Sequence, residues 1–363
     1  MKRLVVLLTA AAVTTLGPAP GAKAAFVSDA EIQPVMQRTV DEVIIPGYSA
    51  FRNAAESAGS AMNTLCIAND PSSYEGAKKA FADLVSAWSR IEVLRDGPVL
   101  DNNLFERILF FPDRKGLALK QIQAMLAAKD ENDIAGASMK SKSVAVQGLT
   151  GLEYVLTGTG AEELSAGKDN FRCHAGRAIA SNIALLAGEL SDAWNAPDGI
   201  ADKWRRPGPD NPVFRNGEEA LIALLGTLVR GLETTNEKRL MIFSAGEGGA
   251  SPKKALFWRS GLTLKSVEDN LKGLQAFWDD SGMQYIIRGE GSAITTNINF
   301  DFRAAIVTAG KLDLPVDRML ADEKAHSRLE FLIMTVADLQ ARLNNDYGRA
   351  MGLAAGFTFS DGD

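Results

Sequence analysis

Apolar residues recur every three to four positions along most of this chain, the spacing that lays a stripe down one face of a helix. Ile32, Val35, Met36, Val40 and Val43 form the first stripe, behind Ser28-Asp29-Ala30-Glu31, which reads as a capping box. Pro46-Gly47 is expected to bend or stop that element. A second stripe runs from Phe51 to Leu65, and a third carries Phe81, Leu84, Val85 and Trp88 behind a further capping-box pattern, Ser72 to Glu75. Gly97-Pro98 and Phe111-Pro112 interrupt the pattern over residues 96–116, and it resumes over 117–128, 134–156 and 175–194. Residues 195–217 then hold four of the 13 prolines, Pro197, Pro207, Pro209 and Pro212, which no long helix accommodates. Helical spacing returns with Leu221, Leu224, Leu225, Leu228 and Leu232 and breaks at Gly246-Glu247-Gly248-Gly249. It continues over 262–278, 294–309 and a long final helix, 316–343. No alternating strands with hairpin turns appear. The pattern predicts an all-α protein of two helical-bundle subdomains, 25–195 and 218–363, joined by a Pro-rich crossover at 196–217.

The first 24 residues are expected to be an export signal rather than part of that fold. Lys2 and Arg3 precede an apolar run from Leu4 to Val13, and Ala22-Lys23-Ala24 is a small-x-small cleavage site. The run is too short to span a bilayer, and no cysteine lies near the cut for a lipid anchor. Removing Lys2, Arg3 and Lys23 takes the formal charge from −6 to −9. An acidic exported chain without a basic run is a poor partner for nucleic acid or anionic membrane. The expectation is a periplasmic protein with no membrane span in its mature form.

An oxidising compartment changes how the two cysteines read. Cys66 and Cys173 allow one intramolecular pairing, expected as a disulfide, with two separate buried thiols as the alternative. The chain has two histidines, His174 and His326, which excludes three-imidazole metal sites and HExxH proteases. Asn170 stands where a CxxCH haem attachment needs its first cysteine. Gly167-Lys168 has the wrong spacing from Gly160 for a phosphate loop, and neither GxSxG nor GxGxxG occurs. His326 reads as a partly buried core histidine, His174 as packing or solvated, and Asp322-Glu323-Lys324 as a solvated helix face.

Two glutamates remain. Glu92 continues the buried stripe of Phe81, Leu84, Val85 and Trp88, and Glu153 shares a face with Val146, Leu149, Thr150 and Leu156. A buried carboxylate needs an arginine, a helix end or a cation. Both readings stand on spacing: structural carboxylates, or inward glutamates from two bundle helices holding a cation. Gly148 and Gly151 weaken the Glu153 helix and suggest close approach of another helix or a ligand. Glu153 is expected at the contact between the two halves, with Glu92 or Arg259 within reach.

Several segments, in order along nearly the whole mature chain, resemble the imelysin-like family, also known as peptidase family M75. They are Ala87-Trp88-Ser89-Arg90-Ile91-Glu92 leading to Gly97-Pro98, Phe111-Pro112-Asp113-Arg114-Lys115-Gly116, and Val146-Gln147-Gly148-Leu149-Thr150-Gly151-Leu152-Glu153-Tyr154. Phe257-Trp258-Arg259-Ser260-Gly261-Leu262 and Gly356-Phe357-Thr358-Phe359-Ser360-Asp361-Gly362-Asp363 complete the set. The family is described by GxHxxE; here Gly148 and Glu153 take its ends and Thr150 stands at the histidine. The resemblance implies two helical bundles with this motif near their interface, an envelope location and a link to iron uptake. The ligand-binding candidates are Glu92, Gly148, Thr150, Glu153 and Arg259, with Glu92 and Glu153 as oxygen donors for iron or another hard divalent or trivalent cation.

Three functions follow as expectations. The first is a non-catalytic binding protein for a metal ion or small iron- or haem-containing ligand, working with other envelope proteins of an iron-uptake system. The second is a metallopeptidase, weakened because threonine does not replace imidazole as a metal ligand. The third is a structural or partner-docking envelope protein.

Overall fold

The computed structural model describes residues 27–353, apart from 136–137, 167–169, 245–250, 288–290 and 313. The export signal with its cut at Ala24, Gly167-Lys168, the break at 246–249 and the closing segment 356–363 lie outside the described residues. Every regular element among the described residues is helical.

Helix α1 (Asp29–Arg38) starts at Ser28, whose N–H and hydroxyl both donate to Glu31 Oε2, at 3.1 and 2.7 Å. It does not stop before Pro46. A π turn over Thr39–Ile44 leads directly into α2 (Ile45–Ala68), and this local widening of the helix accommodates Pro46, which has no N–H to donate back along the run. Helix α3 (Pro71–Ile91) begins earlier than Ser72-Glu75 suggests. Pro71 suits the first turn, and Asp70 is the cap, accepting from Ser73 N at 2.7 Å. After α4 (Leu117–Ala128) the stretch read as one helix over 134–156 is instead two short turns, Ser138–Ser141 and Val144–Gln147, followed by α5 (Leu149–Thr157). The reason is Gly148. Its backbone is extended (φ −120°, ψ −155°), and a Cβ there would lie 2.1 Å from the Ile108 carbonyl oxygen and 2.5 Å from that of Arg107. The passing 107–108 backbone takes the space a side chain would need.

Helix α6 (Asn170–Asn195) completes the first half. Cys66 on α2 and Cys173 on α6 are disulfide-bonded, with Cα atoms 5.5 Å apart. The second half holds α7 (Gly217–Thr234), which runs on into a π turn at Thr235–Leu240, then α8 (Thr263–Asp279), α9 (Gly291–Gly310) and α10 (Glu323–Ala341). The single helix expected over 316–343 is broken at Asp322. That residue leaves helical geometry (φ −93°, ψ 114°) and caps α10 by accepting from Ala325 N at 2.8 Å.

The two halves share one contiguous apolar core. Helix α3 packs on α2 and also on α8, so closely that a Cβ at Gly273 would sit 1.9 Å from the Arg90 carbonyl. Helix α1 packs on α7, and Gly217 N donates to Asp29 Oδ1 at 2.8 Å. Among the described residues no helix is long and apolar enough to cross a membrane.

Candidate functional site

Glu153 sits in α5, only 5 % exposed, and reaches across to the second half of the chain. Its Oε1 accepts from Ser260 N at 2.9 Å and from Ser260 Oγ at 2.8 Å. Burial pushes the Glu153 carboxyl above its ordinary value, and the Ser260 hydrogen bonds and the nearby Arg259 charge pull it partly back. The loop it holds begins at Phe257, a bulky residue in the left-handed region (φ +58°). One further hydrogen bond fixes that turn, since the Phe257 carbonyl accepts from Leu262 N at 3.0 Å, while Ser260 Oγ, whose single proton goes to Glu153, lies 3.1 Å from the same carbonyl. Loop strain of this kind persists only where surrounding contacts over-determine it. Arg259 follows, its guanidinium 4.4 Å from the Trp258 ring centroid and 5.4 Å from that of Tyr154. Two aromatic faces therefore orient a charge beside Glu153.

Glu92, also 5 % exposed, caps the C-terminal end of α3 and faces the π turn that follows α7. Its Oε1 accepts from Arg239 Nη2 and, at 2.7 Å, from Asn270 Nδ2. Arg239 Nη1 donates to Ser266 Oγ at 3.0 Å, and Asn270 Nδ2 donates to the Ser89 carbonyl at 2.6 Å. Burial pushes the Arg239 guanidinium below its ordinary value, while the Glu92 charge opposes that shift. Glu92 is thus a buried carboxylate gripping an arginine from the other half.

A cleft of about 770 Å³ opens beside Glu153. Its walls include Thr150, Glu153, Tyr154 and Arg259, with Phe111, Phe257 and Trp258 supplying apolar area. Thr150 Oγ1 is buried and has no hydrogen-bond partner among the described residues. Arg114, Lys238, Lys253, Lys254 and Arg259 bring five cationic side chains to this cleft, against Asp113, Glu153 and Glu237. Those acids are already engaged. Asp113 accepts from the N–H groups of Leu117 and Ala118 at 2.7 and 2.8 Å, Glu153 from Ser260, and Glu237 from Lys238 at 3.2 Å.

Thr150, Glu153 and Arg259 are thus brought together at one cleft, whereas Glu92 lines a separate cavity with Arg239 and Asn270. Gly148 lines neither and serves the packing described above. Among the described residues no group of three or more His, Cys, Asp or Glu side chains is gathered to hold a metal ion. Ser260, Arg239 and the lysines at 238, 253 and 254 are absent from the candidates read along the chain. Lys253-Lys254 beside the Phe257–Gly261 turn was the available signal; Arg239 sits in a π turn that helical spacing misplaces.

Comparison with known proteins is consistent with this architecture. The family model described as Imelysin, Peptidase M75, matches residues 44–343. No curated protein matches the chain. A crystal structure of an imelysin-like protein from Psychrobacter arcticum 273-4 superposes with a TM-score of 0.74 at 15% identity, covering 91% of this chain and 98% of that one. A crystal structure from Parabacteroides distasonis ATCC 8503, of "a putative iron-regulated protein A precursor", gives a TM-score of 0.75 at 13% identity over 92% of this chain and 97% of that one. At such identities the likeness is one of fold.

Proposed function

The chain belongs to the imelysin family, and we propose that it is a non-catalytic periplasmic binding protein of iron acquisition. Its ligand in this reading is iron already held in a carboxylate-bearing organic chelate, bound in the cleft beside Glu153. The observation that carries this is the charge of the cleft. Five cationic side chains face three carboxylates there, in a chain whose formal charge is −6. Such a cleft repels a bare ferric ion and attracts an anionic complex. Phe111, Phe257 and Trp258 offer area to an organic framework, and about 770 Å³ falls within the range of small-molecule pockets. Arg259, oriented by Tyr154 and Trp258, suits a ligand carboxylate. Glu153 acts here as the anchor of the Arg259 loop rather than as an iron ligand. The name of the Parabacteroides relative, iron-regulated, agrees with this setting.

Two expected results test the proposal. Titration with hemin or ferric citrate, followed by tryptophan fluorescence, should show saturable binding that weakens about 10- to 100-fold in Arg259→Ala, the worth of a charge-assisted hydrogen bond. Absence of binding by both probes, or indifference to Arg259→Ala, would overturn it. Metal-dependent proteolysis lost in Glu153→Gln would favour the peptidase instead. The export step has its own readout: the intact mass of protein taken from the periplasm should match a chain beginning at Ala25. A mass that retains Lys2 contradicts it.

A further inference from the structure

We infer that this protein has a second, smaller binding site, for a free α-amino acid, in the cavity that Glu92 lines. The cavity measures about 210 Å³ and shares no lining residue with the larger cleft. Two of its walls carry orphaned acceptors. Among the described residues Glu92 Oε2 and Asn270 Oδ1 are buried without a hydrogen-bond partner, on residues only 5 % and 2 % exposed. Their other side-chain atoms are committed, Glu92 Oε1 to Arg239 and Asn270, and Asn270 Nδ2 to Glu92 and the Ser89 carbonyl. Leaving buried acceptors unmet costs about 1–3 kcal/mol each, so the pair calls for a donor.

The remaining walls say what kind of donor. Arg95 and Arg230 line the same cavity, in addition to the Glu92-bound Arg239. Three guanidinium groups oppose a metal cation. Arg230 lies 3.6 Å from Asp96, a loose pair, while Arg95 stacks over the Phe105 ring at 3.9 Å and has no acidic partner among the described residues. A neutral donor would satisfy Glu92 and Asn270 but make no use of the two solvent-exposed arginines at the cavity wall. A ligand with an ammonium group and a carboxylate satisfies both ends. The ammonium donates to Glu92 Oε2 and Asn270 Oδ1, and the carboxylate faces Arg95 and Arg230. The cavity of about 210 Å³ accommodates small amino acids such as glycine, alanine or serine.

Calorimetric titration of the full mature chain with glycine, L-alanine and L-serine tests this. Binding should be saturable, and propionate and ethylamine, each carrying one end of the zwitterion, should bind at least about tenfold more weakly. Arg95→Ala should weaken alanine binding by about tenfold or more. The side chain of Arg95 is exposed but stacks over Phe105, so the free variant should stay folded with its melting temperature lowered by at most about a few degrees. Arg259→Ala, which alters the other cleft, should leave amino-acid binding as it was. No heat from any of the three amino acids at about 10 mM overturns the inference. So does equal binding by propionate, or insensitivity to Arg95→Ala.

Discussion

Glu92→Ala should destabilise the protein by about 3–5 kcal/mol, lowering the melting temperature by on the order of 10 °C. The side chain removed is the counter-charge of Arg239, a guanidinium only 6 % exposed. Once Glu92 is gone, Arg239 keeps a single neutral partner, Ser266 Oγ, and Asn270 Nδ2 loses one of its two acceptors. The cost is that of a charge left buried and unpaired, not the net worth of the ion pair. That distinction is measurable. Replacing both members with apolar residues, Glu92→Leu with Arg239→Met, should recover most of the loss. Denaturant melts of the two single variants and the double variant decide it. A loss under about 1 kcal/mol in Glu92→Ala would mean that water reaches Arg239 and the pair is not buried as described.

The fold was largely legible because its core is written in helical spacing. The stripes of Phe81, Leu84, Val85 and Trp88, and of Leu221, Leu224, Leu225, Leu228 and Leu232, are buried as their period requires. What spacing missed were the places where one residue's environment overrides its neighbours. Leu149 and Val146 keep helical spacing across Gly148, yet the 107–108 backbone crosses there and breaks the helix. Asp322-Glu323-Lys324 is exposed, as a solvated face requires, but Asp322 lies ahead of α10 and its carboxylate caps that helix. The π turns at Thr39–Ile44, Thr235–Leu240 and Arg342–Tyr347 each insert a residue into a run that otherwise reads as continuous.

The site was legible to a lesser degree, for the same physical reason. Burial of Glu92 and Glu153 follows from their place on apolar stripes, and both are buried. Arg259 is within reach of Glu153 as expected, but the hydrogen-bonding partners Ser260 and Arg239 do not follow, because they are supplied from more than a hundred residues away. Ser260 reaches Glu153 through a turn whose first residue, Phe257, takes a backbone conformation that no propensity suggests. Arg239 reaches Glu92 from a π turn, in which the side chain points about one position away from where an α-helix would aim it. The charge of the cleft likewise emerges only in space, since Arg114, Lys238 and Lys253 lie on three separate segments.

Removing the disulfide, by Cys66→Ala with Cys173→Ala, should cost about 4–5 kcal/mol, the loop-closure entropy of a cross-link spanning about a hundred residues. The bond joins positions 107 apart in sequence and ties α2 to α6. Both partners already pack in the first half: Cys173 is buried in the core, Cys66 lies against it, and Gly176 one turn on lets Met62 of α2 approach so closely that a Cβ there would be 2.5 Å from Met62 Cε. The native contacts therefore survive without the bond, and the loss should fall on the unfolded chain, which gains freedom. Two observations distinguish this from native-state damage. The helical content of the double variant should equal that of the parent, and its unfolding midpoint should fall while hemin or ferric citrate titrates the larger cleft with unchanged affinity. Lost helix before any denaturant is added would show instead that the bond holds α2 against α6, with the surrounding packing too weak to do so alone.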